Sequence, residues 1–73
     1  IFNEIKENIR KDEKMRDSLK SGDKQNLRIE FDKIFKDEID LLLQKDFDIY
    51  KELNDNKDFA QRISQAIFDM ICA

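Results

Sequence analysis

The sequence contains no histidine, no proline and no tryptophan, and only one glycine, Gly22, and one cysteine, Cys72. Each shortage removes a class of protein. Without histidine there is neither a Ser-His-Asp nor a Cys-His nucleophile system, and no imidazole ligand for zinc, iron or copper. A single cysteine cannot form an internal disulfide, so nothing points to a secreted, disulfide-stapled scaffold and a cytoplasmic setting is expected. No apolar run approaches the ~18 to 20 residues that span a bilayer, and the first residues carry no signal-peptide pattern, so no membrane partner is expected. With no proline and one glycine, turn formers are few, which favours long helices over a sheet of many strands.

What is present is charge and branched apolar carbon. Of the 73 residues 42% are charged and 40% hydrophobic, with a formal net charge of -3; the charged share of an ordinary domain is ~25%. Ten Ile, six Leu and six Phe lift the chain above the composition at which disorder is expected. One small domain is the result. At this length a fold buries only roughly 60% of the surface its unfolded chain exposes, which leaves little room for a large pocket inside its own core. No catalytic residue, cofactor site or metal site is assigned. Because the chain opens on Ile1 and both ends fall inside apolar helical patterns, it reads as a piece of a longer polypeptide.

Apolar spacing divides the chain into three helical segments, an all-α, bundle-like architecture with a long middle helix. Residues 1–20 form a charged amphipathic helix in which Phe2, Ile5 and Ile9 keep helical spacing before the stripe fades through Arg10-Lys11-Asp12-Glu13-Lys14 and resumes at Met15 and Leu19. Ser21-Gly22-Asp23 ends it, since Gly accepts the left-handed C′ conformation and Asp caps the next helix. Residues 24–73 form a helical pair. Its long helix, about 24–53, presents Leu27, Phe31, Ile34, Phe35, Ile39, Leu42, Ile49 and Leu53 on one broad face. Ile29 and Phe47 lie on the other side, so the helix is either covered on two faces or bent near Gln44-Lys45-Asp46. A short strand at Leu41-Leu42-Leu43 is disfavoured by the helical periodicity on both flanks. A loop at residues 54–58 then precedes a helix over 58–72 carrying Phe59, Ile63, Ala66, Ile67, Met70 and Ile71, with Asp58 well placed for the helix dipole. The expected core is Phe31, Ile34, Phe35, Leu42, Ile49, Phe59, Ile63, Ile67 and Met70, with the first helix attached more loosely.

Chemical motifs are weak. Asn54, Asn56 and Asp58 repeat the alternate-oxygen opening of a calcium loop, but Phe59 stands where Gly is needed and Gln65 where a bidentate Glu is needed. Capping is the better account. Asp37, Glu38 and Asp40 are near neighbours on one helix and read as a solvated acidic face, not as a converging metal site. Glu4-Ile5-Lys6 resembles the tail of an acid-x-Lys nuclease motif but sits in a helix, without an upstream strand-borne Asp. Cys72 reads as a small hydrophobe near a helix end. Residues 1–24 hold seven Lys or Arg against six Asp or Glu, and residues 25–73 seven against eleven, so neither half is a cationic footprint for nucleic acid. Lys6, Arg10, Lys14 and Lys24 are the only candidates for such contact.

The run Asn26-Leu27-Arg28-Ile29-Glu30-Phe31-Asp32-Lys33-Ile34-Phe35, then Asp37-Glu38-Ile39, then Phe47-Asp48-Ile49-Tyr50-Lys51, resembles the end of the restriction (R) subunit of type I restriction-modification enzymes. Asn54-Asp55-Asn56-Lys57-Asp58-Phe59 followed by Ala66-Ile67-Phe68-Asp69 is similar to that family's closing pattern of Tyr-Lys, acidic loop, Phe and helix. The likeness covers residues 25–71 and contains no catalytic signature. It implies a carboxy-terminal helical region that helps seat an ATP- and Mg-dependent DNA-translocating endonuclease subunit on the methyltransferase core. Neither a phosphate loop nor a nuclease triad is present, so no catalytic residue is carried over. The implied partners are the remainder of the R subunit and the methyltransferase core, with DNA reached only through the parent complex. Apolar residues beyond one stripe per helix, Ile29, Leu43, Phe47 and Phe68, are the candidate partner-binding residues. The alternative is a free-standing acidic helical adaptor or self-associating bundle, in which the same residues form a homodimer seam. A third reading, an acidic DNA mimic built on Asp37, Glu38, Asp40, Asp46 and Asp48, is opposed by the interspersed Lys33, Lys36 and Lys45.

Overall fold

A computed structural model describes residues 1–72, and among them every regular element is helical: α1 Phe2–Lys11, α2 Glu13–Ser21, α3 Lys24–Lys45, α4 Phe47–Asp55 and α5 Lys57–Cys72. The all-α class is as expected, but five helices stand where the periodicity predicts three. The last residue of the expected unit 24–73, Ala73, lies outside the described residues.

The extra boundaries share one physical device. Asp12 adopts an extended backbone, donates its N–H to Ile9 O at 3.2 Å to close α1, and accepts the Met15 N–H on its carboxylate at 3.2 Å to open α2. Asp46 does the same between Leu42 O, at 2.8 Å, and the Ile49 N–H, at 3.2 Å. Asn56 repeats it between Glu52 O, at 3.0 Å, and the Phe59 N–H, at 3.1 Å. A short Asx side chain satisfies an orphan donor of the next helix while its own backbone finishes the previous one, so a single residue turns the chain without glycine or proline. The expected helix over 1–20 is therefore two helices, the long helix ends at Lys45 and not at 53, and the expected loop 54–58 shrinks to Asn56. The third helix begins one residue early, at Lys57, and Asp58 lies in its first turn. Only the α2–α3 turn takes the expected form: Gly22 is left-handed, with φ 73°, and the Asp23 carboxylate accepts the Asn26 N–H at 3.2 Å.

At ~1.5 Å per residue the 22 residues of α3 span about 33 Å, which sets the long dimension of a 36 × 22 × 17 Å body. The other four helices pack around it. Running along its carboxy-terminal half, α1 is antiparallel to α3: Glu4 pairs with Lys45 at 3.8 Å and Asn8 donates to Glu38 at 3.3 Å. All five helices feed one core of Ile5, Ile9, Met15, Leu27, Phe31, Leu42, Leu53, Ile67 and Ile71. Phe31 is its centre, fully buried, stacked on Phe35 with ring centroids 5.6 Å apart and meeting the edge of Phe68 at 5.1 Å.

Two core expectations are corrected. The first segment is not loosely attached, because Ile9 and Met15 are fully buried; the Asp12 break redirects the stripe that fades in sequence so that both halves reach the core. Met70 is 53% exposed, because Ile67 and Ile71, one helical turn apart, take the inward face of α5. Ile34, Phe35, Ile49, Phe59 and Ile63 are half-buried around the fully buried Phe31, Leu42 and Ile67.

Candidate interaction surface

Leu41-Leu42-Leu43 cannot all face inward, since three successive helical residues sweep about 200°. Leu42 takes the core, and Leu41 and Leu43 are left half in solvent on either flank. Four residues on, the Asp46 break starts α4 with Phe47 at its first position, 56% exposed and stacked on Tyr50 with centroids 6.4 Å apart. Leu43 and Phe47 thus flank the α3–α4 elbow, beside the exposed carboxylates of Asp40 and Asp48.

The four sequence-predicted partner-binding residues do not form one patch. Ile29 is 48% exposed, but it lies 14 residues before Leu43 on the same helix, about 21 Å away, with Lys33, Lys36 and Asp40 on the intervening face. Phe68 is half-buried against Phe31 and belongs to the opposite end of the bundle. Only Leu43 and Phe47 are near neighbours, four residues apart on the two sides of the Asp46 break.

At that opposite end Arg28 packs beside the edge-to-face pair of Phe31 and Phe68. Its guanidinium carbon lies 4.8 Å from the Phe68 centroid and 5.4 Å from that of Phe31. Nε–H donates to Asp32 at 3.2 Å, Nη1 to Gln65 at 3.3 Å and Nη2 to the buried Ser64 hydroxyl at 3.5 Å. The side chain ties α3 to α5. Beside it a groove of about 520 Å³ opens between α2, α3 and α5, floored by Leu19, Leu27 and Phe68 and edged by Lys24, Arg28 and Cys72. Burial and the nearby Asp69 push the Cys72 thiol above its ordinary value, with Lys24 and Arg28 pulling the other way, so it is protonated and weakly nucleophilic at neutral pH. Sequence reasoning missed this groove. Arg28 precedes Asp32 by one turn, a common helical ion-pair spacing, and nothing in the sequence tells that its guanidinium also meets Phe68 on α5.

The weaker motifs resolve into structure. Asn56 is a cap and Asp58 pairs with Arg62 at 3.2 Å. Glu4 reaches Lys45, while Lys6 and Arg10 both reach Glu7, at 3.9 and 3.6 Å, so Glu4 and Lys6 serve different partners. Among the described residues no three His, Cys, Asp or Glu side chains gather as a metal site, no helix is long and apolar enough to cross a membrane, and no buried side-chain polar atom lacks a partner. Comparison with protein-family models, with curated proteins and with solved structures finds no match.

Proposed function

We propose that this chain is a non-catalytic docking element, the carboxy-terminal helical region of a type I restriction enzyme R subunit, seating that ATP-dependent DNA-translocating endonuclease on its methyltransferase core. The observation that carries the docking role is the elbow: Leu43 and Phe47, four residues apart, both stand about half in solvent on the two sides of the Asp46 cap. Large exposed apolar side chains held side by side mark surfaces that a partner covers. Assignment to the restriction family rests on the resemblance over residues 25–71, whose closing pattern occupies α4, the Asn56 cap and α5. In this reading the chain works inside the cytoplasm, touches DNA only through the parent complex, and leaves ATP and Mg to other parts of the subunit.

The test is a Leu43→Asp, Phe47→Asp variant of the R subunit, assayed for association with the methyltransferase core. Helicity should be unchanged by circular dichroism and association lost. Unchanged association removes the elbow from the interface. Were light scattering instead to show that the isolated chain has twice its monomer mass, and the double variant the monomer mass, the elbow would be a homodimer seam and the adaptor reading would replace this one.

A further inference from the structure

The groove between α2, α3 and α5 has a charge pattern unlike the rest of the molecule. The sequence carries 17 acids against 14 bases, yet no carboxylate lines this groove, and two cations, Lys24 and Arg28, do. Asp69, which faces Cys72 nearby, is held by Gln65 Nε2 at 2.8 Å. Among the described residues Lys24 makes no ion pair within 4.0 Å. Arg28 uses three of its five N–H donors on Asp32, Ser64 and Gln65, which leaves two on a guanidinium already immobilised by Phe31 and Phe68. A pre-positioned guanidinium loses little side-chain freedom on accepting a carboxylate. Beneath the cations the floor is apolar, and its volume of about 520 Å³ accommodates a large aliphatic or aromatic side chain.

We infer that this groove receives an acidic, apolar segment of the partner protein: one large apolar side chain seated on Leu19, Leu27 and Phe68, with flanking carboxylates on Lys24 and Arg28. The inference rests on the docking reading and adds a second contact at the far end of α3, roughly 20 Å along the helix from the elbow. Charge complementarity favours this occupant, because a basic segment meets two cations with no acid on the lining to receive it.

The experiment uses the intact R subunit and the methyltransferase core, with three variants: Lys24→Glu, Lys24→Arg and the elbow pair Leu43→Asp, Phe47→Asp. Lys24 is exposed, so its substitution leaves folding intact, which circular dichroism checks. Lys24→Glu should weaken association tenfold or more, Lys24→Arg should restore it, and the deficit of Lys24→Glu should shrink as salt rises from about 50 to about 500 mM. If the elbow pair abolishes association while Lys24→Glu leaves it unchanged, the groove inference falls and the docking reading stands. If neither variant affects association, both fall. If Lys24→Glu lowers the mass of the isolated chain in light scattering and leaves core binding intact, the occupant is a second copy and the inference is overturned.

Discussion

At its amino-terminal end α3 buries Leu27 and Phe31 and packs Arg28 beside two phenyl rings, whereas at its carboxy-terminal end only Leu42 of three successive leucines is buried and Leu43 and Phe47 stand in solvent. Both ends are apolar in sequence. The first end is enclosed by α2 and by α5, while the second is flanked by α1 on one side and then broken by Asp46, which points the chain into α4 before another helix can cover the elbow. Apolar content therefore does not decide burial along one helix; the direction taken by the chain at its caps does.

Substitutions can break or sharpen that contrast. Phe31→Ala should be the most damaging, removing the central ring and leaving Phe35, Phe68 and Arg28 around a void, with a loss of ~3–5 kcal/mol that thermal or urea unfolding would read. That is a large share of the ~5–15 kcal/mol available to a small domain. Ile9→Ala should cost ~2–4 kcal/mol if α1 is as integral as its full burial indicates, and a cost below ~0.5 kcal/mol would restore the picture of a loosely attached first segment. Asp46→Ala should cost ~1 kcal/mol by leaving the Ile49 N–H without its cap, and it should also let the α3–α4 junction straighten, which amide exchange at residues 46–49 would detect. Gly22→Ala should cost about as much, ~1 kcal/mol, purely from the left-handed backbone, because nothing lies within 4 Å of the added methyl. Phe47→Ala should change stability by less than ~0.5 kcal/mol, since the ring is mostly in solvent already.

The smallest effect belongs to Cys72. Its pKa is raised above the ordinary 9.0 in the folded chain, so the protonated thiol is the form the fold prefers. Whatever this contributes to stability is complete below pH 9 and is lost as pH rises through the higher folded value. Alkylation of the native protein should accordingly reach half-maximal rate at higher pH than alkylation of the urea-unfolded chain.

The turn at Gly22 was legible because only glycine takes positive φ freely, and the α5 stripe because Ile63, Ile67 and Ile71 keep a strict four-residue spacing. The break at Asp12 was not, and the one at Asp46 was legible only as one of two options, a bend near Gln44-Lys45-Asp46 or a helix covered on two faces. Each is an Asx residue three positions before an apolar one, Met15 or Ile49, but the same spacing occurs at Asp32 with Phe35 and Asp40 with Leu43, which lie inside an unbroken α3. Local pattern does not separate a cap from a mid-helix aspartate, because both conformations are locally acceptable and the choice is made by which packing they permit. Of the four surplus apolar residues, Ile29 is separated from Leu43 by 14 residues of one helix, a distance readable from spacing, whereas the place of Phe68 against Phe31 was not readable, because helical phase shows in sequence but distance between helices does not.

By itself, then, the sequence determined that the chain is helical, where glycine turns it, and which residues are apolar enough to build a core; these properties come from backbone propensity and periodicity, which act within a few residues. Only the tertiary structure decided that α1 is core, that Arg28 packs beside both Phe31 and Phe68, and that Leu43 and Phe47 remain outside. Those outcomes depend on contacts between residues far apart in sequence, from Phe31 with Phe68 to α1 with α5, and such contacts exist only after the caps have set the angles at which the five helices meet.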